Sequence, residues 1–320
     1  MKTLVALLTA ALAAVSLHAQ AQGYPNKPVQ VIISFTPASA TDIVGRIVTA
    51  KLSEYWGQPV VNENRAGAGG SIGSAAVAKA APDGYTLLIN SNAHSVNPAI
   101  YAKLPYETTK DFTDIAPLSE LPNVLVVSAD SRFKTLADFV AFSKANPGKI
   151  NFGHAGVGSG THLNTVKLVT AAGIDVTQVP FKGTPEVVAA VLNGSVDSYW
   201  VPISAGISNI KAGKLRALAV STAKRSVLLP ELATTGEAGV KGADFGLWFG
   251  IWGPAGMSAE LTAKINADVR RALADPGVRE KLANTGNSAL DMSPAEFARF
   301  VRSEIDDYRR IVRAAGIKPQ

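Results

Sequence analysis

The chain has 320 residues, of which 47% are hydrophobic and 18% are charged, and its formal net charge is +6 at pH 7. This composition predicts a folded globular protein with an ample core, and the length allows one large domain or two of ordinary size. No basic run contains interleaved aromatic residues, so we do not expect nucleic-acid binding. The chain contains no cysteine, which excludes disulfides, thiolate chemistry and a lipid anchor on cysteine.

Residues 1–21 have the pattern of a secretory signal peptide. Lys2 supplies a positive charge, Leu4–Leu17 is apolar, and Ala19-Gln20-Ala21 fits the cleavage-site pattern. The apolar run is too short for a membrane span, which needs about 18 residues or more. We therefore expect an exported mature protein that starts near Gln22, and a disulfide-free exported protein of this size is typical of the bacterial periplasm.

The first part of the exported chain alternates between strand, loop and helix patterns. Strands are predicted at Lys27–Phe35, Val60–Asn64 and Tyr85–Asn90. One helix follows the first strand and extends to about Tyr55, and another follows the glycine-rich segment 67–73. This order predicts βαβ units and a parallel sheet.

The same alternation restarts after Pro122 and ends in three C-terminal helices. The later elements are predicted at Asn123–Ser128, Thr135–Ala145, Lys149–Phe152, Thr161–Ala172, Asp175–Pro180, 185–192, Val196–Val201, Leu215–Ser221, Gly246–Pro254, Ser258–Ala274, Pro276–Thr285 and Ser293–Ala315. We therefore expect an α/β fold with two domains. Domain 1 comprises residues 22–121 and 223–320, and domain 2, residues 122–222, is inserted into it.

The segment Asn151–Leu163 carries the strongest functional signal. It places four glycines between a short strand and a helix that starts near Thr161. Closely spaced glycines allow backbone N–H groups to approach a ligand, and Ser159 and Thr161 are both candidates for the helix N-cap. Because a helix N-terminus attracts negative charge, the segment predicts an anion site, with carboxylate as the expected anion. The alternative is an ordinary glycine-rich turn.

The segment Phe35–Asp42 is the counterpart of that loop in domain 1. It joins the first strand to its helix, and Ser39, Thr41 and Asp42 lie near the predicted helix start. Two helix starts that face each other across a cleft would suit a ligand with one anionic group, or with one at each end. Asp42 would repel an anion, so it holds a water, binds a ligand amine or stabilises the helix dipole.

The sequence lacks the common enzyme and metal motifs. Gly156–Gly160 departs from G-x-S-x-G, the segment 67–73 departs from G-x-G-x-x-G, and no phosphate-binding P-loop is present. The histidines of the exported chain lack metal-ligand spacing, so we expect neither a metal nor a cofactor. The enzymatic alternative is an exported hydrolase that uses Ser159 with His162, although no orienting acid or oxyanion motif accompanies the pair.

Several further positions are candidates for the site. Ser91 and His94 follow the third strand, at the edge where open α/β sheets bind ligands. His162 either contacts the ligand or supports its loop. Lys182 either reaches the cleft or remains solvated, and Asp197 points to the cleft or to the hinge.

Motifs along nearly the whole exported chain resemble one family. They are Tyr24-Pro-x-Lys-Pro28, Gly57-Gln-Pro-Val-Val61, Asn64-Arg-x-Gly-Ala-Gly-Gly-x-Ile-Gly73, Pro82-Asp-Gly-Tyr-Thr-Leu-Leu88, Asn97-Pro98, Leu104-Pro-Tyr106, Ala145-Asn-Pro-Gly148, Gly156-x-Gly-Ser159 with His162-Leu163, Val179-Pro-x-Lys-Gly183, Gly213-Lys-Leu-Arg-Ala-Leu-Ala-Val220 and Glu237-Ala-Gly239. In these motifs the chain resembles the Bug-type extracytoplasmic solute receptors, the receptor family of tripartite tricarboxylate transporters.

The resemblance implies a type II periplasmic binding protein, in which two Rossmann-like α/β domains joined by a hinge close on a small carboxylate like a Venus flytrap. Family members hold the ligand carboxylate with two strand-to-helix loops, which correspond here to Phe35–Asp42 and Ala155–His162. The family usually has Pro-Gly-Gly in the first loop, whereas this chain has Pro37-Ala38-Ser39. Both a dicarboxylate and an aromatic carboxylate are therefore open as ligands. The residues expected to contact the ligand are Phe35, Ala38, Ser39, Thr41, Asp42, Ser91, His94, Ala155, Gly158, Ser159, Thr161, His162, Lys182, Gly183 and Asp197.

The expected function is that of a monomeric periplasmic solute receptor without enzymatic activity. It would capture a small organic carboxylate by hinged closure and present it to the membrane subunits of a tripartite tricarboxylate-type transporter. The alternatives are a sensory co-receptor that serves no transporter and, less favoured, the serine hydrolase.

Overall fold

The computed structural model describes residues 23–317, so the predicted signal peptide lies outside the described residues. The strands are β1 (Val29–Ile33), β2 (Val60–Asn64), β3 (Thr86–Ser91), β4 (Phe112–Ser128), β5 (Asn151–His154), β6 (Thr177–Pro180), β7 (Ser198–Pro202), β8 (Leu215–Val220), β9 (Gly246–Pro254) and β10 (Ser288–Ala289). The α-helices are α1 (Ala40–Trp56), α2 (Ser71–Ala78), α3 (Ala93–Ile100), α4 (Leu136–Ala145), α5 (Gly160–Ala172), α6 (Thr184–Leu192), α7 (Ile203–Lys211), α8 (Ala259–Ala274), α9 (Pro276–Asn284) and α10 (Pro294–Ala314).

The long strand β4 connects two groups of strands. Its first part, Phe112–Pro122, pairs with β9, and its second part, Asn123–Ser128, pairs with β7 and β8. The strand order along the sheet is β2-β1-β3-β9-β4-β7-β5-β6, and β8 and β10 also pair with β4. β1 runs parallel to β2 and β3, and β5 runs parallel to β6 and β7, as expected for βαβ units. We call the strands on the β9 side of β4, with their helices, the first lobe, and those on the β7 side the second lobe.

Local signals explain where the major helices begin and end. The Ser39 side chain caps α1, and Gly57 ends it in the left-handed conformation at φ 60°. In α10 the side chains of Ser293 and Glu296 form a reciprocal capping box. The buried residues of α10 recur every three or four positions from Phe297 to Val312, so one face of the helix packs on the first lobe.

An apolar cluster packs helices of both lobes against each other. It combines Val96 and Ile100 of α3 with Tyr308 of α10 and with Leu163 and Val166 of α5. All five side chains are almost completely buried. The lobes therefore contact each other directly, with apolar surface removed from water. Among residues 23–317, none of the helices combines the length and the hydropathy that crossing a membrane requires.

The main differences from the predicted elements involve proline and glycine. β4 begins at Phe112, whereas the strand was predicted to begin at Asn123. Proline is disfavoured inside a strand, so Pro117 and Pro122 hide its first part from a local reading of the sequence. The structure accommodates Pro117 at an irregularity in the pairing with β9. The helices α3 and α7 were not predicted, and they contain Pro98 and Gly206, respectively.

Candidate functional site

A small cavity lies where the loop after β1 meets the loop after β5. We call it the inner cavity, and we call Phe35–Asp42 the first loop and Ala155–His162 the second loop. Its volume is about 20 Å³, which is room for about one or two water-sized groups. It is lined by Phe35, Ser39, Ala40, Thr41, Ser91, Ala155, Ser159, Gly160, Thr161, Thr184, Pro202 and Leu247. Seven of the predicted ligand contacts therefore lie together around one cavity: Phe35, Ser39, Thr41, Ser91, Ala155, Ser159 and Thr161.

The two loops repeat the same helix cap. Ser39 has φ −70° and ψ 162°, and Ser159 has φ −71° and ψ 158°. Each serine hydroxyl accepts a hydrogen bond from the backbone N–H three residues later, at 3.3 Å from Asp42 N and at 3.2 Å from His162 N. The cap orients both helices with their N-termini towards the inner cavity.

The residue before each serine is held by the side chain that follows one turn later. Ala38 and Gly158 have positive φ angles of 62° and 80°. Ala38 N donates to Asp42 Oδ2 at 3.0 Å, and Gly158 N donates to His162 Nδ1 at 3.3 Å. Asp42 and His162 thus have equivalent roles, because each accepts a hydrogen bond from a backbone N–H of its own loop and so fixes the shape of that loop.

Asp42 is occupied entirely by its own lobe. Its carboxylate accepts from Arg46 Nε at 2.8 Å and from Asn64 Nδ2 at 2.9 Å, in addition to Ala38 N. Asn64 Nδ2 also donates to Phe35 O at 2.9 Å, which fixes the start of the first loop. Asp42 does not line the cavity. Of the three predicted roles of Asp42, stabilisation of the start of α1 is the one that these contacts support.

His162 and its neighbour His154 are buried as neutral side chains. Their ring centroids are 4.7 Å apart. Burial lowers the pKa of His162 to about 4, and burial together with the neighbouring His162 lowers the pKa of His154 to about 3. Because Nδ1 of His162 accepts a hydrogen bond, its proton at neutral pH belongs on Nε2. Neither ring therefore offers positive charge to an anion at pH 7.

The inner cavity offers backbone donors instead of charged side chains. The N–H groups in the first turn of a helix have no intrahelical acceptor. Within residues 23–317, those of Ala40 and Thr41 in α1 and of Gly160 and Thr161 in α5 have no hydrogen-bond acceptor. All four residues line the cavity, and no lining residue is Lys, Arg, His, Asp or Glu. The N-termini of two helices, one from each lobe, thus favour an anion in this cavity.

Two of the predicted contacts lie away from both loops. His94 is completely buried between Phe112 and Trp252, with both ring centroids 4.5 Å from its own, and burial lowers its pKa to about 3. Asp197 Oδ2 accepts from Asn151 N at 2.8 Å. That contact is at the start of β5, whereas the second loop follows the end of β5. Neither side chain lines the inner cavity.

A larger outer cavity lies beside the second loop, and another predicted contact, Lys182, lines it. Its volume is about 480 Å³, and it is lined by Gly67, Ala68, Tyr101, Gly156, Val157, Pro180, Phe181, Lys182 and Glu186. The Tyr101 hydroxyl donates to Val157 O at 2.7 Å and so joins the two lobes beside this cavity. The predicted contacts Gly158 and Gly183 border the cavities without lining either of them, and the Ala38 side chain is exposed.

Five lining residues were not among the predicted contacts. Ala40 and Gly160 directly follow the predicted caps, so the cap pattern already implied that their N–H groups point into the site. Thr184 starts α6, and its hydroxyl lies 3.0 Å from the buried Tyr199 hydroxyl. Pro202 and Leu247 come from β7 and β9. Nothing local in the sequence marks these two residues, because only the fold brings them to the cavity.

The geometry does not favour the hydrolase alternative. Ser159 Oγ is occupied by His162 N and lies 3.1 Å from Thr161 Oγ1. The imidazole of His162 points to Gly158 N, so no hydrogen bond between Ser159 and this ring activates the hydroxyl in residues 23–317. In the same part of the chain, no group of three or more His, Asp or Glu side chains could hold a metal ion.

Replacement of Ala38 by glycine should stabilise the protein by about 0.5–1 kcal/mol. Alanine at φ 62° is strained by about 1–2 kcal/mol, and the greater freedom of glycine in the unfolded chain offsets part of the gain. Urea unfolding of Ala38→Gly measures the change. The exposed Ala263 in the middle of α8 is the matched control, because Ala263→Gly should destabilise by about 1 kcal/mol. Equal destabilisation by both substitutions would contradict the strain at Ala38.

Comparison with solved structures gives the same fold. "Structure of periplasmic binding protein BugD" is 31% identical, with a TM-score of 0.89, and the match covers 93% of this chain and 100% of that one. Rpa4515 of R. palustris, solved with adipate, is 32% identical, with a TM-score of 0.89 and coverage of 93% and 100%. MatC of Rhodopseudomonas palustris, solved with malate, is 34% identical, with a TM-score of 0.85 and coverage of 90% and 100%. The predicted periplasmic-binding-protein fold is confirmed.

A sequence profile gives the family. The profile described as "Tripartite tricarboxylate transporter family receptor" matches residues 44–317, which is most of the chain. It begins inside α1, so it includes the second loop and the three C-terminal helices. The chain belongs to the tripartite tricarboxylate transporter receptor family, whose members are periplasmic solute receptors.

Proposed function

We propose that this protein captures a small organic carboxylate between its first and second loops. The observation that carries the proposal is the repeated cap, which aims two helix N-termini with free N–H groups at one cavity. A carboxylate has two oxygens, so it can accept from both loops at once. Each charge-assisted hydrogen bond contributes about 1.5–3 kcal/mol. Three of them contribute about 5–9 kcal/mol, which is comparable to the binding free energy of about 8 kcal/mol in a micromolar complex, so contacts to the rest of the ligand must offset the costs of association.

The ligand is proposed to be a dicarboxylate or an aromatic carboxylate. Two similar receptors were solved with the dicarboxylates adipate and malate, which supports the first of these classes. The inner cavity has room for a single carboxylate group, so the rest of the ligand must lie outside this cavity. Phe35 and Leu247 supply apolar walls for a carbon chain or a ring.

Binding is proposed to proceed by hinged closure of the two lobes. Domain 1 would comprise residues 22–121 and 223–320, and domain 2 residues 122–222. The two chain segments that would connect the domains, near residues 122 and 222, lie side by side, because Asn123 N donates to Ser221 Oγ at 3.0 Å and Ser221 N donates to Asn123 O at 2.9 Å. A ligand that contacts both loops stabilises the closed state selectively, which shifts the population towards closure without a covalent step.

The receptor is proposed to act in the periplasm after removal of residues 1–21. The proposed partner of the closed form is the membrane part of a tripartite tricarboxylate-type transporter, and membership of the family supports this proposal. The protein would act as a monomer, without a cofactor and without catalysis. The other predicted contacts would have supporting roles: Asp42 and His162 would fix the loops, and Lys182 would face the outer part of the ligand.

A thermal-shift screen of aliphatic and aromatic mono- and dicarboxylates tests the proposal. One chemical class should raise the melting temperature by several degrees at millimolar concentration. Ser159→Ala combined with Thr161→Ala should remove most of that shift. Ser258→Ala, which deletes the equivalent cap of α8 away from the cavity, should lower the melting temperature but leave the ligand-induced shift intact. An unchanged shift in the Ser159/Thr161 variant would contradict the assignment of the site.

A further inference from the structure

Thr36 and Gly183 contact each other next to residues that line the inner and outer cavities. Thr36 follows Phe35, which lines the inner cavity. Gly183 stands between Lys182, which lines the outer cavity, and Thr184, which lines the inner one. Thr36 comes from the first lobe and Gly183 from the second. The contact therefore joins the two lobes beside residues of both cavities.

The contact leaves no free space. A Cβ atom added to Gly183 would lie 2.1 Å from Thr36 Oγ1 and 2.8 Å from Thr36 Cγ2, which is far inside van der Waals contact. The backbone at Gly183 is extended, with φ −174° and ψ 173°, a conformation that any residue adopts. The close approach of the Thr36 side chain, and not the backbone angle, is thus what restricts this position to glycine.

The Thr36 hydroxyl is itself unusual. Its oxygen is buried and has no hydrogen-bond partner within residues 23–317. A buried hydroxyl without a partner costs free energy, which a donor or acceptor from another molecule could recover. This hydroxyl is the atom that lies nearest to the Cβ position of Gly183.

We propose that Thr36 and Gly183 form a gate between the two cavities, and that the Thr36 side chain limits the length of the ligand. The inference rests on the proposed function, because it assumes that a carboxylate occupies the inner cavity. With the gate closed, the carboxylate lies in the inner cavity and the rest of the ligand cannot extend into the outer cavity. With the Thr36 side chain shortened, a longer chain can extend into the outer cavity towards Lys182.

The first test uses a cysteine reporter and needs no ligand. Because the chain has no cysteine, Ser91→Cys places a single thiol on the wall of the inner cavity. Methyl methanethiosulfonate should label this thiol at least tenfold faster when Thr36→Ala is added. Thr36→Ser, which retains the oxygen nearest to Gly183, should increase the rate much less, and the exposed Thr177→Ala should not change it. Equal rates for Ser91→Cys with and without Thr36→Ala would overturn the gate.

The second test measures binding of straight-chain dicarboxylates from succinate to azelate by calorimetry. Thr36→Ala should move the preferred length upwards by one or more methylene groups, with at least a tenfold gain for the longest binder. An unchanged length preference would overturn the role of Thr36 in specificity. If none of these acids binds the wild type or Thr36→Ala, the proposed dicarboxylate class fails, while the labelling ratio still decides whether the gate exists.

Discussion

Lowering the pH from 7 to 5 should destabilise the protein by several kcal/mol. The cause is three histidines that the fold buries in their neutral form. Burial lowers the pKa of His94 and His154 to about 3 and that of His162 to about 4. In the unfolded chain each has an ordinary pKa of about 6.5.

The sign follows from proton binding. Between pH 6.5 and about 4 the unfolded chain binds protons on these rings and the folded chain does not, so acid favours unfolding. The stabilising contribution is fully present above pH 6.5 and is lost progressively as the pH falls towards the folded-state values. At pH 5 the loss is about 2 kcal/mol for each histidine. The total is comparable to the whole stability of many domains, about 5–15 kcal/mol.

Urea unfolding at pH 7, 6 and 5 measures this dependence. His94→Phe replaces one ring within an aromatic cluster and should reduce the pH dependence by about a third, although it also changes the packing at pH 7. The difference in stability between pH 7 and pH 5 is the relevant quantity for each variant. A flat profile in the wild type, or an unchanged slope in His94→Phe, would contradict neutral burial of these rings.

Replacement of Gly69 by alanine should weaken ligand binding at least a hundredfold. Gly69 lies in the first lobe, and an added Cβ would lie 2.2 Å from the backbone oxygen of Val157 and 3.1 Å from the carbonyl carbon of Gly158. Both of these atoms belong to the second loop, whose backbone cannot move aside without displacing the cap at Ser159. The variant should therefore hold the lobes apart and disfavour the closed state.

Gly57 provides a matched control for the backbone strain. Gly57 has φ 60° and Gly69 has φ 58°, so alanine is strained to the same extent at both positions, by about 1–2 kcal/mol. Nothing lies within 4 Å of a Cβ added at Gly57. Gly57→Ala should therefore lose stability but bind the carboxylate found in the screen with wild-type affinity. Wild-type affinity in Gly69→Ala would show that closure at this contact is not needed for binding.

The fold could be predicted from the sequence where neighbouring residues mark the ends of an element. Val60–Asn64 and Gly246–Pro254 have the predicted bounds, because turn residues mark the ends of both segments: Pro59 precedes the first, and Gly246 and Pro254 bound the second. The first part of β4 was missed, because tolerance of Pro117 depends on an irregularity in the pairing with β9. That partner strand lies far away in the chain, so local sequence could not reveal it.

The site was predictable where its chemistry is encoded next to the helix caps. Ser39 and Ser159 are recognisable from residue type and position alone. The supporting roles of Asp42 and His162 depend on the direction of their side chains, which the pattern leaves open. His94 has the right position in the chain, but Phe112 and Trp252 from other strands enclose it, and only the fold determines that.

The most direct test of the central claim is a crystal structure with the carboxylate that gives the largest shift in the screen. We expect one carboxylate group to lie in the inner cavity, within about 3.2 Å of the N–H groups of both α1 and α5, at Thr41 and Thr161. The helix caps at Ser39 and Ser159 should be unchanged. A carboxylate bound elsewhere, or one that contacts only one of the two loops, would contradict the account.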